Sequence, residues 1–169
     1  MVHGPNIFLK TMDDEIDFTR RLIKGKIAEI IFEMMIREMD RVTVLRAGYE
    51  YTHPEIAQYQ QLLGSKGREV LKFFEHNPDF LLFNKNKSSL YLVEVKYSRN
   101  LDFDRIYKIA KEELERSDYV WLFVTTPQGF FFSQCKDIIR TNSIQPLSPD
   151  WVLPDIQKKH LELLNEFLK

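Results

Sequence analysis

Apolar residues recur at helical spacing in the first part of the chain, where residues 13–39 contain no proline. Five of them lie three, four or seven positions apart and predict the apolar face of a helix: Ile23, Ile27, Ile30, Ile31 and Met34. The pattern therefore predicts a long first helix. Residues 42–45 are a short β-branched run that ends near Gly48, which predicts a strand after a tight connection.

Polar helical patterns at residues 53–64 and 68–75 predict two short helices. Two apolar runs then flank a polar cluster at residues 84–89, which predicts a β-hairpin with strands at residues 80–83 and 90–97. Both faces of this hairpin are apolar, so we expect it in the centre of a sheet.

An amphipathic helix is predicted next, with the apolar stripe Phe103, Ile106, Tyr107, Ala110 and Leu114. Residues 119–125 and 130–135 predict two strands across a Pro-Gln-Gly turn, with Cys135 as a small core residue of the second. Residues 141–154 predict an ordered loop, and a last helix carries Ile156, His160, Leu163, Leu164 and Phe167. This order predicts an α/β fold, a central mixed β-sheet flanked by helices, in a single domain spanning residues 1–169.

Composition narrows the class of protein. Charged residues make up 29% of the chain but nearly cancel to a net charge of -1, so contact with nucleic acid requires a local basic surface. One cysteine excludes a disulfide within the chain and a four-thiolate metal site, which favours a reducing cytoplasm. No stretch reaches the roughly 18 apolar residues of a membrane span, so no membrane association is expected.

The hairpin carries three polar residues whose positions follow from its register. If the turn is centred between residues 86 and 87, opposed residues sum to 173, and every pair in the two strands is apolar. That register places Asp79 opposite Glu94, with their side chains about 5 Å apart. Lys96 lies two residues beyond Glu94 and points to the same side of the strand.

Two facing carboxylates repel each other unless a cation lies between them. Oxygen ligands suit Mg²⁺ or Mn²⁺, and Mg²⁺ typically uses one or two protein carboxylates. Asp79 and Glu94 are therefore predicted metal ligands, with the backbone carbonyl of Val95 as a further one. Lys96 could orient or deprotonate an attacking water, or stabilise negative charge in the transition state.

Other interpretations compete with a metal site. Glu94 and Lys96 could form a structural ion pair, with Asp79 serving only as a turn residue. A bulge that slipped the register by one residue would send Asp79 to the opposite face.

Pro78-Asp79 followed by Glu94-Val95-Lys96 after a hairpin resembles the signature of the PD-(D/E)XK nuclease superfamily, which has the restriction-endonuclease-like fold. Gly25 and Glu29 resemble the Gly-x-x-x-Glu helix segment of Holliday-junction resolvases and related members. The resemblance covers about residues 13–135 and implies that Glu29 assists metal binding. Alternatively, Glu29 is an exposed acid paired to Lys26, and Glu33 is the competing helix carboxylate.

The resemblance implies a Mg²⁺- or Mn²⁺-dependent hydrolase of nucleic-acid phosphodiester bonds, an endonuclease or exonuclease. DNA is the preferred substrate, including branched or single-stranded DNA, and a homodimer is expected. Among several basic residues, Lys24, Lys26 and Arg99 are the predicted phosphate contacts, because they lie close in sequence to the proposed ligands. The alternatives are a non-catalytic nucleic-acid-binding or assembly subunit of the same fold, an RNA-directed nuclease, and an accidental motif.

Overall fold

A computed structural model describes residues 6–48, 77–84 and 89–169, with side chains from residue 15 onwards. We number its helices and strands in chain order: α1 (Asn6–Glu38), β1 (Val42–Arg46), β2 (Phe80–Asn84), β3 (Leu90–Tyr97), α2 (Phe103–Leu114), β4 (Val120–Thr126), β5 (Gly129–Gln134), α3 (Cys135–Thr141) and α4 (Pro154–Phe167). The helices predicted at residues 53–64 and 68–75 lie outside the described residues. Within the described part of the chain, no helix is long and apolar enough to cross a membrane.

The five described strands form one mixed sheet in the order β1-β2-β3-β4-β5. β1, β2 and β3 are antiparallel neighbours, β3 and β4 are parallel, and β5 pairs antiparallel with β4. The parallel pair requires a crossover connection, which α2 supplies. The predicted hairpin is thus flanked by strands on both sides, and β3 is the central strand.

Helices cover both faces of the sheet, which confirms the predicted α/β architecture. α1 and α4 pack on one face, where Phe32 contacts Phe80 and Phe123 at ring-centroid distances of 5.1 and 4.7 Å. α2 and α3 pack on the other face, against β4 residues such as Leu122 and Val124. Alternate residues of β3 therefore enter different layers: Val93 and Val95 lie beneath α1, whereas Glu94 and Lys96 point toward α2.

The prediction of which side of α1 faces the core is wrong. The core side of the helix is a neighbouring stripe, Ala28, Ile31, Phe32, Met35 and Ile36, whereas Ile23, Ile30 and Met34 are 54%, 41% and 45% exposed. Of the five residues in the buried stripe, only Ile31 was also in the predicted apolar face. The helix carries two apolar stripes side by side, and the small Ala28 beside Phe32 lets the second one approach the sheet closely.

Two further predictions need correction. Cys135 is fully buried as predicted, but it begins α3 and does not belong to β5. The buried stripe of α2 contains Ile106, Ala110 and Glu113, whereas Phe103 and Tyr107 are exposed. Residues 142–153 are an ordered segment without helix, and part of it lies beside β5 through a bridge between Phe131 and Pro146.

Candidate metal centre

The β2–β3 hairpin has the register predicted from the sequence. Phe80 pairs with Val93, Leu82 with Tyr91, and the remaining two pairs follow the same sum of 173. Asp79 immediately precedes β2, and continuing the register by one residue places it opposite Glu94. The slipped register, which would have sent Asp79 to the opposite face, is excluded.

Asp79 is fixed by hydrogen bonds to both neighbouring strands. Its side-chain Oδ2 accepts a 2.7 Å hydrogen bond from the backbone N–H of Val95 in β3. Its backbone carbonyl accepts a 2.9 Å bond from the N–H of Ala47, just beyond β1. The carboxylate is therefore held against the central strand and does more than terminate a turn.

Lys96 contacts Glu94 directly, because side chains two residues apart on a strand share a face. Its Nζ donates a hydrogen bond to Oε1 of Glu94, whose side chain is only 10% exposed. The ion pair of the competing interpretation is thus present, together with Asp79 beside it. In this arrangement one ammonium compensates two carboxylates.

The electrostatics of the site reflect that imbalance. Burial, together with the nearby charge of Glu94, raises the pKa of Asp79 from 3.8 to about 8, although Lys96 and the Val95 N–H act in the opposite direction. Burial alone would lower the pKa of Lys96, but the charges of Glu94, Asp79 and Glu113 and the hydrogen bond to Glu94 together outweigh it, and the pKa is raised. The site therefore favours additional positive charge.

Glu29 lies near this cluster on α1 and lines the same cavity as Asp79. Its Oε2 accepts a 2.7 Å hydrogen bond from Nζ of Lys26, as in the alternative interpretation, but its side chain is only 14% exposed. Its negative charge also contributes to the raised pKa of Asp79. Glu33, the competing carboxylate, instead pairs with Arg37 at 2.8 Å and with Arg46.

A cavity of about 360 Å³ opens over the candidate site, and we call it the carboxylate cavity. Asp79, Glu29 and Lys96 line it, together with four other basic residues: Arg21, Lys24, Arg99 and Arg105. Among the described residues, none of these four cations has a carboxylate within 4.0 Å, whereas Lys26 is paired to Glu29 and is not part of the lining. Cations that are free of carboxylate partners are available to bind phosphate.

The sequence did not predict Arg105 or Glu113 at the site, and Arg21 was not one of the three basic residues predicted to contact phosphate. Arg105 is in the first turn of α2, whose N-cap Asp102 accepts a 3.2 Å hydrogen bond from the Arg105 backbone N–H. Glu113 is buried and pairs with Arg116 at 2.9 Å, and burial together with the charge of Glu94 raises its pKa. The spacing of Glu113 from Ile106 and Ala110 would have placed it on the inner face of the helix.

The residues present suit a hard divalent cation in one respect. Asp79 and Glu94 supply carboxylate oxygens, and Mg²⁺ commonly uses one or two of these while retaining waters. Within the described residues, however, no group of three or more His, Cys, Asp or Glu side chains is arranged to hold a metal ion. A cation held by Asp79, Glu94 and the Val95 carbonyl would thus have two side-chain ligands.

No protein-family model matches the chain, and no curated protein matches it at a significant level.

Proposed function

We propose that this chain is a Mg²⁺- or Mn²⁺-dependent nuclease with a restriction-endonuclease-like fold that hydrolyses phosphodiester bonds of nucleic acid, with DNA as the preferred substrate. The observation that carries the proposal is a cavity lined by Asp79 and by Lys96, whose ammonium contacts Glu94. The same cavity is lined by four cations that have no carboxylate within 4.0 Å among the described residues. Oxygen ligands for a divalent cation and cations for phosphate are the two requirements of such a site. A homodimer and a cytoplasmic location complete the proposal.

In this proposal Asp79, Glu94 and the Val95 carbonyl hold the cation, and Glu29 tunes the charge around it. When bound, the cation supplies polarisation of a phosphoryl oxygen and a bound water of lowered pKa. The 37% exposed side chain of Lys96 reaches the cavity, where its ammonium can stabilise negative charge on the reacting phosphate. Arg21, Lys24, Arg99 and Arg105 orient the phosphate backbone on either side.

The direct test incubates purified protein with plasmid, branched and single-stranded DNA, and with RNA, in Mg²⁺ or Mn²⁺. We expect cleavage that falls by at least about 100-fold in Asp79→Ala and Lys96→Ala, because each removes an interaction with the reacting groups. Lys136→Ala is a matched control, since Lys136 is exposed and does not line the cavity. Cleavage that survives both site substitutions would overturn the proposal.

A second candidate function is a non-catalytic nucleic-acid-binding or assembly subunit of the same architecture. The contact between Lys96 and Glu94 favours it, because an ion pair within β3 could serve stability alone. Calorimetric titration with Mn²⁺ separates the two functions. For a nuclease we expect Mn²⁺ binding that is lost in Glu94→Gln and kept in the control Glu115→Gln, because Glu115 is exposed at the far end of α2. For a non-catalytic subunit we expect no heat of Mn²⁺ binding that depends on Glu94.

A further inference from the structure

A second cavity, of about 590 Å³, adjoins the carboxylate cavity, and we call it the side cavity. Lys24, Tyr97 and Arg99 line both cavities and form the wall between them. The side cavity is further lined by three amide side chains: Asn100, Gln128 and Asn165. Its volume lies within the roughly 300–1,000 Å³ of ordinary ligand pockets.

The shared wall is aromatic and positively charged. Nζ of Lys24 lies 5.7 Å from the ring centroid of Tyr97, and the ring is half-buried. Arg99 is exposed beside it, and no Asp or Glu of the described residues lines the side cavity. An aromatic ring flanked by cations is the combination that stacks a nucleobase while holding the phosphates next to it.

The opposite wall is held in place by hydrogen bonds. Oγ1 of Thr126 accepts bonds of 3.2 and 3.1 Å from the backbone N–H groups of Gln128 and Gly129, which fixes the β4–β5 turn. Nδ2 of Asn165 donates a 3.0 Å bond to the carbonyl of Pro127, which joins α4 to that turn. The backbone that carries Gln128 and the side chain of Asn165 are therefore fixed, and amides pair with the edges of bases.

We propose that the side cavity binds an unpaired nucleobase, stacked on Tyr97 and adjacent to the phosphate held in the carboxylate cavity. This inference rests on the proposed function and narrows its substrate class. A base inside a duplex cannot enter a side pocket without leaving the stack, which costs a few kcal/mol. The preferred substrate is therefore a single strand, or an unpaired segment of a branched structure.

Binding without cleavage tests the proposal. A labelled single-stranded oligonucleotide and a blunt-ended duplex of the same length, which has no unpaired bases, are titrated with the protein in EDTA. We expect Tyr97→Leu to weaken single-strand binding about tenfold, the lower part of the range for loss of one stacked base, and to leave duplex binding within about twofold. Tyr97→Phe keeps the ring and should retain the single-strand preference.

A spectroscopic readout separates stacking from a structural effect. An oligonucleotide with a single 2-aminopurine should change fluorescence on binding to the wild type and to Tyr97→Phe, but not to Tyr97→Leu. Tyr119→Leu is the control, because Tyr119 is 70% exposed and outside both cavities. If Tyr97→Leu does not fold, Gln128→Ala tests the same proposal, because Gln128 is at an exposed position of the turn. We expect this variant to change the relative affinity of the protein for different bases by about threefold or more.

The outcomes distinguish this inference from the proposed function. The proposal that the side cavity binds a nucleobase is overturned if the protein binds single strand and duplex equally. It is also overturned if neither Tyr97→Leu nor Gln128→Ala affects single-strand binding, and both results count whether or not the protein cleaves DNA. If single strands bind in a Tyr97-dependent way but the protein shows no metal-dependent cleavage, nucleobase binding in the side cavity is supported and the proposed nuclease function is overturned.

Discussion

Oδ2 of Asp79 accepts a 2.7 Å hydrogen bond from the backbone N–H of Val95, which lies between Glu94 and Lys96 in the central strand. This bond holds the Asp79 carboxylate against the part of the strand that carries Glu94 and Lys96. It also links the positions of all four residues, because Val95 cannot shift along the sheet without moving its neighbours. The site is consequently built from main-chain geometry as well as from side chains.

The raised pKa of Asp79 predicts how stability depends on pH in the metal-free protein. A carboxyl group with a pKa near 8 when folded and near 3.8 when unfolded contributes stability that is complete below about pH 3.8 and is lost as pH rises toward 8. Asp79→Asn cannot ionise, and its amide oxygen can still accept the Val95 N–H. We expect the variant to gain about 1–3 kcal/mol relative to wild type between about pH 5 and pH 8.

Urea unfolding in EDTA at several pH values measures this difference. Asp137→Asn is a control, because Asp137 lies on α3 and its ion pair with Arg140 is largely exposed. A constant difference between Asp79→Asn and wild type across the pH range would contradict a raised pKa for Asp79.

We expect substitution of Lys96 to change metal binding and catalysis in opposite directions. Lys96→Met removes the ammonium that contacts Glu94, which leaves the two carboxylates without their nearest compensating charge. We expect Mn²⁺ to bind about three- to tenfold more tightly, because it no longer competes with that ammonium, while cleavage falls by at least about 100-fold. Calorimetry and a cleavage assay on the same preparation measure the two effects. Parallel losses in both would indicate that Lys96 serves mainly to maintain the fold.

The sequence predicted the hairpin more accurately than the first helix, for a physical reason. In β2 and β3 a slip of one residue would pair Phe80 with Glu94 or Phe83 with Ser89, so only one register pairs apolar residues throughout. On α1 the stripes through Ile30 and through Ile31 are both apolar, and helical periodicity cannot decide which one faces the sheet. Arg105 lines the same cavity as Asp79 through tertiary packing, and no local pattern predicts that placement.

Phe32 tests the orientation of α1 directly. Its ring is fully buried against Phe80 and Phe123, so Phe32→Ala should lower the free energy of unfolding by about 3–5 kcal/mol. Phe18, on the same helix, is 56% exposed, and Phe18→Ala should change it by less than about 0.5 kcal/mol. Chemical denaturation of both variants measures the contrast, and similar losses would mean that the exposed stripe is covered in solution.

Glu113 should influence the metal centre from the layer behind it. The charge of Glu94 raises the pKa of Glu113, and the charge of Glu113 in turn helps to raise the pKa of Lys96, so the three groups share one electrostatic environment. Glu113→Gln removes one negative charge and can still accept the hydrogen bond from Arg116. We therefore expect Mn²⁺ affinity to fall about three- to tenfold with little change in fold, because a nearby negative charge favours a divalent cation.

Glu112→Gln is the matched control, because Glu112 is the adjacent residue of α2 but its side chain is 53% exposed and its charge is screened by solvent. Titration of both variants with Mn²⁺ at two salt concentrations measures the effect. A buried charge is screened less, so the Glu113→Gln loss should persist at high salt while any effect of Glu112→Gln disappears. Equal effects of the two substitutions would show that the metal centre responds only to the overall charge of the protein, and that Glu113 has no local role.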